Sequence, residues 1–157
     1  MIQRIQSVYL LLASLVLSVT FFFPIAEFIG EKDSLILYVF KVVSLVPDSA
    51  NVYDLMFIMP LLGIVSGTIL FSFITIFMFK NRHGQLKIIR FMMLLIAIMI
   101  GLTFLYYYDI LESASGAIPN FVQIGAFAPL ISLIFLFLAY KGVLKDEKLI
   151  RSADRLR

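Results

Sequence analysis

Cysteine is absent from the 157-residue chain, and histidine occurs only once. Without cysteine there can be no disulfide bond, no thiol nucleophile and no thiolate metal site. The single histidine, His83 in "KNRHGQ", has no cysteine or cluster of carboxylates near it in the sequence. We therefore predict a solvated loop residue, no metal site and no cofactor, since a metal needs several converging ligands.

Charge is scarce as well. Asp, Glu, Lys and Arg make up 15% of the chain, against about a quarter in soluble domains. Apolar residues make up 62%, and the mean hydropathy is +1.03. This composition predicts an integral membrane protein with a single domain spanning residues 1–157.

Four apolar runs come close to or exceed the roughly 20 residues that cross a bilayer, and none carries an ionisable side chain in its interior. Continuous runs favour helices, because the strands of a membrane barrel would alternate in polarity. No cleavage pattern follows the first run, so we interpret it as an uncleaved helix. The predicted fold is an all-α antiparallel bundle of four transmembrane helices, over residues 5–26, 54–79, 88–109 and 120–141, with an outer loop at 27–53 and a tail at 142–157.

Basic residues predict how the chain is threaded. Lys32 and Lys41 are the only two of the 13 basic residues that fall in the loops on the side of the bundle opposite the termini. The positive-inside rule therefore places both termini in the cytoplasm.

The first outer loop contains "SLILYVFKVVSLV", a run rich in β-branched and aromatic residues that is too short to span. We predict a small extracytoplasmic β-structure there. It could pack over the helix ends, or it could offer an edge strand to a partner.

Glycine and proline mark two candidate features inside the helices. Gly63 and Gly67 lie four apart, and Ala97 and Gly101 repeat the spacing, so we predict that these residues mediate helix packing. The segment around them, "GIVSG", offers no catalytic base to its serine, which argues against a hydrolase. In the fourth helix, Pro129 cannot bond to the carbonyl of Gly125, which predicts a hinge. Such a break keeps a small permease open as an alternative, although coupled carriers usually hold an ionisable group within the membrane.

The closing stretch "KDEKLIRSADRLR" predicts a short cytoplasmic helix with a basic face and a thin apolar seam. It could lie on anionic lipid headgroups, dock on a cytoplasmic protein or an RNA-rich partner, or serve only as a solvated flank. Glu147 lies four residues before a basic residue, which favours the helix. The candidate docking residues are Lys148, Leu149, Arg151, Arg155 and Leu156.

The opening "MIQRIQSVYLLLA" and the ending "KDEKLIRSADRLR" resemble the two ends of a small membrane-protein family found in Bacteroidota, the family of domain of unknown function 4293. The resemblance implies an inner-membrane protein whose first loop is periplasmic, and it implies no activity. We therefore expect an accessory or scaffold subunit that associates with membrane lipids and a larger assembly. The alternative is a small permease or lipid-binding protein, and an enzyme is a third and weaker reading.

Overall fold

The computed structural model describes residues 3–30, 33–46, 53–79, 81–117, 120 and 123–154. The described chain is mostly helical, with a small antiparallel sheet between its first two helices. A 3-10 turn extends the first helix, and a π-helical turn joins α3 to α4. In chain order the elements are α1 (Gln3–Ser18), the 3-10 turn (Val19–Phe21), β1 (Ala26–Ile29), β2 (Ser34–Leu37), β3 (Val42–Ser44), α2 (Leu55–Phe77), α3 (Arg82–Leu102), the π-turn (Thr103–Tyr107), α4 (Tyr108–Ser115) and α5 (Ile124–Asp154).

Three helical segments of the described chain are long and apolar enough to cross a membrane, namely Leu55–Phe77, Arg82–Ser115 and Ile124–Leu149. The second of these runs without interruption through α3, the π-turn and α4. A shorter apolar helix, Ile5–Phe21, occupies the place of the predicted first span. The long apolar helices expected of a helical membrane protein are therefore present among the described residues.

The polarity of α2 is the reverse of that of a helix in a soluble protein. Its buried side includes the hydroxyl residues Thr68, Ser72 and Thr75, while Leu70 and Phe77 lie on the exposed side. Each buried hydroxyl donates a hydrogen bond to a carbonyl one turn earlier, at 2.6 to 3.0 Å. Small polar residues inside and large apolar residues outside are what a lipid environment favours.

The four long helices contact one another in a closed ring, in which α1 packs on α2 and α5, and α3 packs on α2 and α5. In the first half of α5, the hydroxyl of Ser132 donates a hydrogen bond to the carbonyl of Ala13 in α1 at 3.0 Å. Near the start of α5, Gly125 lies against the backbone of Phe23 and Pro24, so closely that a Cβ there would overlap the Pro24 carbonyl. This contact explains the glycine without invoking flexibility.

The predicted β-structure is confirmed as a three-stranded sheet in the order β1-β2-β3. In its register Ala26 pairs with Leu37 and Phe28 with Leu35, and these four side chains point into the core that the helices share. The sheet therefore packs over the helix ends, which is the first of the two alternatives considered for this loop.

The sheet is held by polar contacts at two places. The buried carboxylate of Asp33 accepts hydrogen bonds from the Ser34 backbone at 2.8 Å and the Ser44 hydroxyl at 2.6 Å, which fastens β2 to β3. Glu27 and Asn120 exchange two backbone hydrogen bonds, so β1 is tied to the segment before α5. Burial, together with the Asp33 carboxylate, raises the pKa of Tyr53 above its ordinary value.

Several helix boundaries differ from the prediction, and three of the differences have a clear cause. The first helix ends by Phe21 rather than at residue 26, because Pro24 disfavours helix in the residue before it and the chain then enters β1. The third begins at Arg82 rather than 88, since the Asn81 side chain accepts a hydrogen bond from the Gly84 backbone and caps it. The last continues past 141 to Asp154, so the predicted short tail helix is an extension of α5.

Candidate functional site

One end of the bundle, which we call the basic end, holds the start of α1, the end of α2, the start of α3 and the end of α5. The 31 residues of α5 span about 46 Å at 1.5 Å per residue, whereas a hydrocarbon core is about 30 Å thick. About ten residues of α5 therefore extend past the apolar span at this end. Any site on that extension is carried on a continuous helix and is held at a defined distance from the membrane.

A buried hydrogen bond fastens the extension of α5 to the first helix. The amide of Gln6 donates to the carboxylate of Asp146 at 2.5 Å, and only 7% and 6% of these residues are exposed. Gly142, one turn earlier on α5, makes room, because a Cβ there would lie 2.8 Å from the Gln6 side chain. We call Gln6, Gly142 and Asp146 the tail clamp. A hydrogen bond to an ionised acceptor is about twice as strong as one between neutral groups.

α3 supports the tail clamp from a second side. Arg82 donates from Nη1 to the backbone carbonyl of Asp146 at 3.2 Å. The Nδ1 atom of His83 lies 3.9 Å from a carboxylate oxygen of Glu147, with the histidine largely exposed, so this pair contributes little. In turn, the buried amide of Gln85 donates to the carbonyl of Thr75 at 2.9 Å and joins the start of α3 to the end of α2. All four long helices thus meet through polar contacts at the basic end.

The opposite side of the extension is an open groove of about 570 Å³. Three lysines and two leucines form most of it, and no acidic side chain is among the described residues that line it. Its members are Lys141, Leu144, Lys145, Lys148, Leu149 and Ser152, which we call the lysine groove. The arrangement can bind an anion through ammonium groups while apolar carbon packs beside them.

Two of the predicted docking residues line this groove. Lys148 and Leu149 are both exposed there and lie side by side, so the predicted separation of a basic face from an apolar seam does not hold at this pair. Arg151 belongs to α5, but only its backbone is described. Arg155 and Leu156 lie outside the described residues.

The predicted packing residues do not mediate helix contacts within the chain. A Cβ added at Gly63, Gly67 or Gly101 would meet no atom within 4 Å, and Ala97 is exposed. α2 and α3 do pack together, but through the side of α2 that carries Val65 and the buried hydroxyls. The spacing of small residues did not predict the helix contacts, because it does not indicate which side of a helix faces its neighbour.

Of the two predicted hinge residues, Gly125 is used for close packing against Pro24, as described above. Pro129 is buried within α5, which continues as helix on both sides of it. Pro129 also borders a small crevice beside Thr103, at the π-turn of the neighbouring segment. The two residues therefore lie in the tightly packed half of α5, away from the basic end.

The chain was compared with protein-family models, curated proteins and solved structures. A family model described as Domain of unknown function (DUF4293) matches residues 2–156. The chain belongs to this family. No curated protein and no solved structure matches it. The two stretches that carry the resemblance to the DUF4293 family contain Gln6 and Asp146, so the fold brings these stretches into direct contact at the tail clamp.

Sequence reasoning missed the residues of the tail clamp. Two signals were available, namely a polar Gln6 within the apolar first helix and an acidic Asp146 within a basic tail. Neither signal identifies the other as its partner, because 140 residues separate them. The lysine groove was predicted only in part, since Lys148 and Leu149 were among the candidate docking residues whereas Lys141 and Lys145 were not.

Proposed function

We propose that this protein is an accessory or scaffold subunit of the bacterial inner membrane. It crosses the membrane four times, with α1 as the first span and with both termini and the basic end in the cytoplasm. The strong bias of Lys and Arg toward the basic end supports this orientation. The ring of contacts among the four long helices supports α1 as a span, because it places α1 alongside α5.

The observation that carries the proposal is the tail clamp. An isolated helical tail of about ten residues would be marginally stable in water. Here the hydrogen bond from Gln6 to Asp146 and the one from Arg82 hold the extension of α5 against the bundle. The extension is therefore preorganised before any partner arrives, which lowers the ordering entropy that binding would cost.

A preorganised arm beside the membrane suits a scaffold. Its last described residue, Asp154, lies about 15 Å past a span of about 30 Å that starts at Ile124, at 1.5 Å per residue. Anchoring also gives a high effective concentration for any membrane-associated partner, so a weak contact suffices. Membership of the DUF4293 family adds no activity to this argument.

Purification in mild detergent at native expression level, followed by mass spectrometry, tests the proposal. We expect stoichiometric recovery of a larger membrane or cytoplasmic assembly, and its loss when Arg151→Glu and Arg155→Glu are combined. Lys87→Glu is the matched control, since Lys87 is an exposed basic residue of α3 near the same end. Ribonuclease treatment distinguishes an RNA-rich partner from a protein. Recovery of a lone, monodisperse protein would rule out the scaffold role.

A further inference from the structure

Along the axis of α5, one exposed side of the helix is first apolar and then basic. Exposed apolar side chains recur at helical spacing over the membrane part, and the lysine groove follows them on the same side of the helix. The change occurs at Lys141, whose ammonium nitrogen lies 4.6 Å from the ring centroid of Phe137. The apolar members, which we call the lipid stripe, are Phe127, Leu130, Ile131, Ile134, Phe137 and Leu138.

The two acidic residues of the extension whose side chains the structure describes, Asp146 and Glu147, are turned away from the lysine groove. Asp146 is buried against Gln6 in the tail clamp, and Glu147 lies beside His83 of α3. Among the described residues that line the groove, the three lysine ammonium groups are therefore the only charged groups. The described lining of the groove is therefore cationic, although the sequence of the extension is mixed in charge.

We propose that the lysine groove binds the phosphate of one anionic phospholipid, whose acyl chains lie along the lipid stripe. The groove has the complementary charge, and it begins where the apolar span ends, at the depth of lipid headgroups. Leu144 and Leu149 supply apolar walls for the glycerol region. A soluble anion would bind the ammonium groups but would make no contact with the lipid stripe that adjoins them.

The inference rests on the membrane location proposed above and is independent of any partner protein. Each lysine near an anionic headgroup contributes about fivefold in affinity, so removing two should weaken binding about 25-fold. Lysine acts as a point charge without a required planar geometry, so arginine at the same positions should retain binding.

Native mass spectrometry of the full-length protein in zwitterionic detergent tests the inference with three probes. These are phosphatidylglycerol, phosphatidylcholine with the same acyl chains, and glycerol phosphate without acyl chains. We expect one phosphatidylglycerol bound per chain, in clear preference to the other two. The combination of Lys141→Gln and Lys145→Gln should weaken it about 25-fold, while the corresponding arginine variants and the control Lys87→Gln should bind normally.

Equal binding of the two lipids would overturn the proposal, as would unchanged binding by the double glutamine variant. Glycerol phosphate binding as tightly as phosphatidylglycerol would also overturn it, because the lipid stripe would then contribute nothing. All these lysines are exposed, so circular dichroism should show unchanged helix content. Failure to recover a partner in the purification described above would leave this result unaffected, because the lipid assay uses the isolated protein.

Discussion

Breaking the tail clamp should free the extension of α5 without unfolding the rest of the bundle. Gln6→Ala removes the donor and leaves the Asp146 carboxylate buried without that amide, while Asp146→Ala leaves the Gln6 amide without its acceptor. Both changes leave a buried polar group without its hydrogen-bond partner. Gln6→Ala should be the more destabilising of the two, because the group that it leaves unpaired is a carboxylate. The α1–α5 contact nearer the sheet persists, because Ser132 still donates to Ala13.

The expected coupling energy follows from the geometry. The donor is a neutral amide, the acceptor is a carboxylate, the distance is 2.5 Å, and both residues are more than nine-tenths buried. Hydrogen bonds to charged groups contribute about 1.5–3 kcal/mol. Since 1.4 kcal/mol corresponds to a factor of ten, opening of the extension should become about 10- to 150-fold more frequent.

Amide hydrogen exchange measured by mass spectrometry over residues 143–149 reports this opening directly. The two single variants and the double variant form a cycle whose coupling should be about 1.5–3 kcal/mol. Lys87→Ala combined with Asp146→Ala is the control cycle, and its coupling should stay within about 0.5 kcal/mol, because the two do not share a contact. A coupling below about 0.5 kcal/mol for Gln6 and Asp146 would refute the reasoning, and so would unchanged exchange in either single variant.

Three further predictions concern packing, one membrane-buried hydrogen bond and orientation. Gly125→Leu should lower the free energy of unfolding by about 1–3 kcal/mol, because the new side chain would overlap backbone atoms. Gly63→Leu should be tolerated, because a Cβ at that position meets no atom within 4 Å. Detergent-induced unfolding followed by circular dichroism compares the two variants, and equal losses of stability would contradict the packing described. Tyr107→Phe should cost about 1 kcal/mol in the same assay, since the phenol donates to the Phe57 carbonyl at 2.6 Å, and a neutral result would mean that this bond is not formed. A cysteine at Ser34 should react with a membrane-impermeant thiol reagent in spheroplasts while one at Ser152 reacts only after lysis, and the reverse pattern would invert the proposed orientation.

The sequence predicted those parts of the fold that depend on local composition. Long apolar runs identified the helices, and the β-branched run around Leu35 and Leu37 identified the strands, because both signals reside in neighbouring residues. The helix ends were less accurate. At Asn81 a single side-chain cap starts α3 six residues early, and past residue 141 nothing in the composition separates a new helix from a continuing one.

The site was harder to predict, because it depends on which side of each helix faces inward. The spacing of Gly63 and Gly67 was compatible with contact on any side, and the fold turns that spacing away from α3. The tail is mixed in charge in the sequence, but in the fold the carboxylate of Asp146 faces Gln6 and not the lysine groove. The packing of α2 on α3 decides the first question, and the packing of α1 on α5 decides the second.

The separation of 140 residues between Gln6 and Asp146 sets the order in which the protein can be completed. At about 5–20 residues per second, the ribosome incorporates the acceptor roughly 7 to 30 seconds after it has incorporated the donor. In the topology proposed above, the first helix therefore waits in the bilayer with its amide hydrogen-bonded to water or headgroups, and the basic end closes last. An interrupted nascent chain would expose that amide together with an unclosed ring of helices, which gives quality-control proteases a feature that the finished protein lacks.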